Sequence, residues 1–150
     1  MKLAHQIELS VFSYPEEELE QIHRAFLGLL PFDCEKENIK VEKTEAEGFA
    51  QKKIAILKAV IVKASNTNDF LGNILIKLSD DDRKTILRQI ESRLDEELDF
   101  FLRLDKDEWV KNRRLAPTDS GKCFHIKISV AAFPRKRKVA IGILEDLFKQ

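Results

Sequence analysis

Phe124-His125-Ile126-Lys127-Ile128-Ser129-Val130 is the stretch that decides the fold class. Phe124, Ile126, Ile128 and Val130 recur at period two, opposed by His125, Lys127 and Ser129. Successive side chains of a strand point to opposite faces, so this is a strand with one apolar and one polar side. The pattern repeats upstream. In residues 98–104, Leu98, Phe100, Leu102 and Leu104 oppose Asp99, Phe101 and Arg103. In residues 4–12, Ile7, Leu9 and Val11 oppose Gln6, Glu8 and Ser10. Residues 39–45 alternate as Ile39 and Val41 against Lys40 and Glu42, which predicts a short strand, and Gly48 marks a turn after it. The β-branched run over residues 54–64 predicts a central, well-covered strand.

Helical spacing fills the intervals. Ser13 and Glu16 have capping-box spacing with Pro15 between them, which predicts a helix starting there. Its apolar stripe is Leu19, Ile22, His23, Phe26 and Leu30, and Pro31 ends it. Thr67 or Asn68 is the expected cap of a helix carrying Phe70, Leu71, Ile74, Leu75 and Leu78. Ser79 and Asp82 form a second capping box, ahead of Ile86, Leu87, Ile90 and Leu94. Pro134 opens a last helix with Val139, Ala140, Ile143, Leu144 and Leu147 inward. Strands and helices are interspersed without strict βαβ alternation. The expected fold is α+β: a single mixed, mainly antiparallel sheet with helices packed on one face, in one domain over residues 1–150.

The bulk numbers narrow the function. The chain has 150 residues with 26 basic and 26 acidic side chains, and 43% of it is hydrophobic. That excludes a disordered tail and a uniformly basic coat protein. No run approaches the ~18 apolar residues of a membrane span, and the N-terminus has no apolar signal core, so a cytoplasmic protein without a membrane partner is expected. Cys34 and Cys123 lack CxxC spacing and suit reduced thiols.

Zero net charge hides opposed blocks. Residues 1–47 hold 5 basic and 11 acidic side chains, and residues 79–108 hold 6 and 11. Residues 48–78 hold 5 and 1. Residues 111–138 hold Lys111, Arg113, Arg114, Lys122, Lys127, Arg135, Lys136, Arg137 and Lys138 against Asp119 alone. Charge runs are usually solvated surface. The run Arg135-Lys136-Arg137-Lys138 is harder to dismiss, because adjacent like charges repel and cations at a helix start oppose its dipole. A polyanion partner is the more economical reading.

Other chemistry finds little support. His5, His23 and His125 are scattered singly and do not assemble the ligand set of a zinc site, and no cofactor is expected. Asp80, Asp81 and Asp82 complement a helix dipole. No phosphate-binding glycine loop or nucleophile–base pair is visible, so the chain is not expected to be an enzyme. Arg103, Asp105 and Lys106 read as a salt-bridged turn at a strand end. Trp109, Phe101 and Phe124 are candidates for stacking on bases, with core packing the commoner role. Phe101 stands apart, since its phase sets it opposite the apolar face of its own strand.

Specific stretches carry a resemblance. Ala4-His5-Gln6-Ile7-Glu8-Leu9-Ser10, Phe70-Leu71 through Leu78-Ser79-Asp80-Asp81-Asp82-Arg83, and Phe101-Leu102-Arg103-Leu104-Asp105-Lys106 come in order, followed by His125-Ile126-Lys127-Ile128 and a Pro-led final helix. Together they resemble an archaeal family of small proteins described as RNA-binding and exosome-associated. The resemblance implies a fold similar to the large-subunit ribosomal protein that binds 5S RNA. It implies no catalytic residues. The chain departs from the family where a Gly-Asn-Pro is expected after Gly48 and Ala50-Gln51-Lys52-Lys53 stands instead, adding two cations.

The expected function is therefore non-enzymatic RNA binding, as an exosome-associated or other RNA-processing accessory factor. Structured or double-stranded RNA is the expected target. Lys52, Lys53, Lys111, Arg113, Arg114, Lys122, Lys127, Arg135, Lys136, Arg137 and Lys138 would contact phosphates, helped by Lys58 and Lys63. The alternative is a protein–protein interaction module or homodimer that binds no RNA directly.

Overall fold

The computed structural model describes residues 2–47 and 52–150. The turn read at Gly48, and Ala50 and Gln51 beyond it, lie outside the described residues. The chain runs β1 (Ala4–Ser13), α1 (Leu19–Gly28), β2 (Val41–Glu47), β3 (Lys53–Ile61), α2 (Ala64–Lys77), α3 (Asp80–Arg88), α4 (Ile90–Arg93), β4 (Asp99–Asp105), α5 (Lys106–Asn112), β5 (Cys123–Val130) and α6 (Arg137–Phe148). The five strands form one sheet in the order β2-β3-β1-β5-β4, with every neighbouring pair antiparallel. The expected α+β class, with a single antiparallel sheet, is the class observed.

One face of the sheet is buried. Ile7, Leu9 and Val11 of β1, Leu57, Ala59 and Ile61 of β3, Phe100, Leu102 and Leu104 of β4, and Phe124, Ile126 and Ile128 of β5 all lie in the core. Phe26 of α1, Phe70 and Ile74 of α2, Ile86 of α3, Trp109 of α5, and Leu144 and Phe148 of α6 complete it. Trp109 satisfies its indole N–H on the Ala25 carbonyl at 2.7 Å, which ties α5 to α1. Among the described residues, no helix packs on the opposite face of the sheet.

Several boundaries differ from the sequence reading. Ser13 stays in β1, paired with Ala55, and α1 begins at Leu19 after Glu18 without a side-chain cap. Ladder pairing at the end of a central strand outweighs the capping signal, and Glu17 Oε1 instead accepts from the Tyr14 N–H at 3.0 Å. α2 begins at Ala64, so Thr67 lies inside it and donates to the Ala64 carbonyl at 3.0 Å rather than capping. Ser79 does cap α3, accepting from the Asp82 N–H at 3.1 Å. The helix expected to carry both Ile86 and Leu94 breaks at Gln89 into α3 and α4. β3 lies second from the sheet edge, where Lys58 and Val60 face outward, and is covered on one side only. α5 replaces the turn expected after Asp105, whose side chain caps it by accepting from the Glu108 N–H at 3.0 Å.

Candidate nucleic-acid interface

Strand register sets which side chains meet on the open face. Arg103 of β4 is paired with His125 of β5, His125 with Ser10 of β1, Ser10 with Lys58 of β3, and Lys58 with Glu42 of β2. The next row runs Phe101, Lys127, Glu8 and Val60. Residues far apart in the chain thus form two lines across the sheet. Lys58 Nζ lies 2.7 Å from Glu8 Oε1, and this bond with Glu8 raises its pKa, so it stays a cation. Lys127 Nζ lies 3.6 Å from Asp99 Oδ2, and Asp99 Oδ1 accepts from Ser129 Oγ at 2.8 Å.

Ser10, Lys58, Phe101, Arg103, His125 and Lys127 are among the side chains lining a cleft of about 430 Å³ on this face. A second cleft, of about 470 Å³, opens over the outer edge of β4 between α4 and the loop carrying Asp119. Phe101 and Arg103 line both. Phe101 is 40% exposed, while its strand neighbours Phe100 and Leu102 are buried. Phe12 is 38% exposed, and its ring centroid lies 6.1 Å from that of His125. Burial first, then the charges of Arg103 and Lys106, hold His125 below the ordinary histidine range. Cys123 Sγ lies 3.5 Å from His125 Nε2, and burial pushes the Cys123 pKa up, which keeps it a thiol.

The basic residues singled out in the sequence do not form one patch. Lys127 stands midway along β5 on the open face. Lys122 leads into that strand, with Nζ 3.3 Å from Glu16 Oε1 and 4.7 Å from the Tyr14 ring centroid. A backbone hydrogen bond holds the Glu16 carboxyl below its ordinary pKa, and the charges of Lys122 and Lys52 add to that. Lys53 opens β3 with Nζ 3.7 Å from Glu45. Lys111, Arg113 and Arg114 fall at the end of α5, beside α1 and away from the open face. Arg113 donates to the Trp109 carbonyl at 2.9 Å, and Arg114 pairs with Glu108 at 3.1 Å.

Arg135, Lys136, Arg137 and Lys138 follow the other end of β5 at Val130, which lies about 26 Å from Lys122 at the rise of an extended strand. Arg135 donates to the Glu97 carbonyl at 3.1 Å. Arg137 donates to the carbonyls of Glu91 at 2.7 Å, Leu94 at 3.0 Å and Asp95 at 3.3 Å. A cation placed against its own helix dipole is here turned onto the carbonyl end of α4, where the dipole favours it. Lys136 precedes α6 and Lys138 is exposed in its first turn.

Arg93, Arg103, His125 and Phe12 were not among the expected contacts. The phases of residues 101, 103 and 125 carried a signal for the open face. Arg93 carried none, because it reaches the cleft through Asp119, with Nη2 2.7 Å from Asp119 Oδ1 across 26 residues of chain.

Fold and face together define the class: a small α+β protein whose single antiparallel sheet is roofed by helices on one side and carries charged side chains of both signs and a phenyl ring on the other. The chain belongs to the RNA-binding family, whose model, described as RNA binding, matches residues 6–130. An RNA-binding protein of Pyrococcus abyssi is 28% identical over 143 residues, which cover 95% of this chain and 92% of that protein. Among solved structures, a protein from Archaeoglobus fulgidus superposes with a TM-score of 0.83 at 23% identity, covering 96% of this chain and 99% of that one. A DUF54 protein from Methanothermobacter thermautotrophicus gives a TM-score of 0.78 at 25% identity, covering 97% and 98%. The relatives are archaeal, and the likeness of the Archaeoglobus protein is one of fold.

Proposed function

We propose that this protein binds RNA, without catalysis, by laying phosphate backbone along the open face of its sheet. The observation that carries the reading is the row Arg103-His125-Ser10-Lys58, with Lys127 beside it, lining one cleft in a chain of an RNA-binding family. The Pyrococcus relative, described as an RNA-binding protein, supports it. Lys58, Arg103 and Lys127 form the centre of the contact. Lys52, Lys53 and Lys122 extend it at one end of β5, and Arg135, Lys136 and Lys138 at the other. Arg137 holds α4 and α6 in place behind them. Lys111, Arg113 and Arg114 meet RNA only where it wraps toward α5.

Two basic ends a strand length apart suit contacts to separated phosphates of structured RNA, read by shape. A cytoplasmic accessory role in RNA processing, with the exosome as the associated machine, fits a binder without catalytic groups. The test is a salt-series titration on a hairpin and a single strand. With about five phosphates neutralised, log K falls against log salt with a slope of roughly −3.5 to −4.5. A slope near zero ends the reading. Sizing at low and high salt without RNA would then decide for a homodimer or interaction module.

A further inference from the structure

We propose that Phe101 is a stacking platform for one unpaired base of the bound RNA, with the cleft between β4 and α4 receiving that nucleotide. This rests on the RNA-binding reading and names the RNA class: structured RNA with a bulged or looped-out nucleotide.

Phe101 sits where a polar residue is expected. It shares the open face with Asp99 and Arg103, it is 40% exposed, and it is paired in register with Lys127. An apolar ring left half-exposed among charges is the informative kind of exposure. Its position sharpens the point, because it is the ridge between two clefts of about 430 and 470 Å³. Each is in the size range of small-ligand sites.

Two guanidinium groups, Arg93 and Arg103, line the cleft over β4 together with Asp95 and Asp119. Arg93 is only 10% exposed at its side chain. It donates through Nε to Gln89 Oε1 at 2.9 Å and through Nη2 to Asp119 Oδ1 at 2.7 Å. Arg103 Nη1 approaches the Asp119 carbonyl at 3.4 Å. Among the described residues Arg103 has no carboxylate partner at ion-pair distance, so its charge remains for a phosphate. A phenyl face with guanidinium groups beside it fits a base and its own phosphate together.

A base inside a duplex is stacked on both faces and cannot lie on a ring seated between two clefts. A splayed-out base can. Stacking of this kind changes affinity about 5- to 150-fold per base.

The test uses two RNAs: a blunt duplex with one paired 2-aminopurine, and the same duplex with that 2-aminopurine bulged by removing its partner nucleotide. Binding is read by anisotropy, and stacking by 2-aminopurine emission. The unmodified protein is expected to bind the bulged RNA about 5- to 150-fold tighter and to change its emission. Phe101→Ala abolishes the preference for the bulged RNA over the blunt one and the emission change, and Phe101→Tyr restores both. Lys58→Gln with Lys127→Gln weakens both RNAs alike. Equal affinity for the two RNAs, or an emission change that survives Phe101→Ala, overturns the platform and leaves RNA binding intact. Binding to neither RNA at low salt overturns the RNA reading itself.

Discussion

Lys106 Nζ lies 2.9 Å from Glu17 Oε1, with Lys106 only 1% exposed at the start of α5 and Glu17 in the β1–α1 connection. The ammonium also donates to the Phe12 carbonyl and lies 4.9 Å from the Tyr14 ring centroid. This pair clamps the end of β1, and with it the edge of the open face, to the helix side. Removing one member of a buried pair strands the other charge. Glu17→Ala is therefore expected to cost about 3 kcal/mol of unfolding free energy. Pairing it with Lys106→Met should cost less than the sum of the singles. Denaturant unfolding of the three variants checks this, and strict additivity would refute the coupling.

Arg137 and Lys138 are neighbours in one basic run with different duties. Both are exposed, but only Arg137 donates to three carbonyls. Arg137→Ala should destabilise the protein by about 1 kcal/mol, the net worth of hydrogen bonds at the surface. Lys138→Ala should stay within about 0.5 kcal/mol. Thermal or urea unfolding separates them, and equal effects would contradict the assignment.

The salt slope of RNA binding should map the contact. Lys58→Gln and Lys127→Gln lie on the open face, and each should reduce the slope by about 0.7–0.9. Lys111→Gln, in the last turn of α5, should leave it unchanged. The reverse pattern would move the interface to the helix side.

His125 titrates below the ordinary value in the folded protein, through burial and the charges of Arg103 and Lys106. In the unfolded chain it takes a proton near about pH 6.5. The unfolded state therefore binds more protons in the window below about 6.5, and stability rises with pH there. Its contribution is whole above that pH and is lost as pH falls through the window. His125→Gln should flatten the decline of the unfolding midpoint between pH 7.5 and 5.5. An identical decline in both proteins would show that His125 is not its source.

Ser79→Ala removes the oxygen that accepts from the Asp82 N–H at 3.1 Å and should cost about 1 kcal/mol. Glu16→Ala removes no helix cap, because α1 starts at Leu19, and should leave helix content by circular dichroism unchanged.

Much of the fold was legible, and the reason is local. Phe124, Ile126 and Ile128 declare their face by spacing alone, and Phe101 declares itself out of phase with Phe100 and Leu102. Ser79 was read correctly because a cap is satisfied within one turn. Ser13 was misread because its partner, Ala55, is 42 residues away in a ladder that the capping motif does not reveal. The basic segment over residues 111–138 was visible as charge, yet β5 runs through it and sends its two halves to opposite ends of the sheet.

By itself the sequence determined which side chains share a face, since alternate Cβ atoms of a strand point the same way whatever lies beside it. It determined the opposed charge blocks in the same direct sense. Only the tertiary structure decided that Arg103, His125, Ser10 and Lys58 stand in one row, and that Arg93 meets Asp119 beside Phe101. Strand order and register arise from burying one continuous apolar face under the helices. That is a collective property of side chains scattered from Ile7 to Phe148, and no local pattern encodes it.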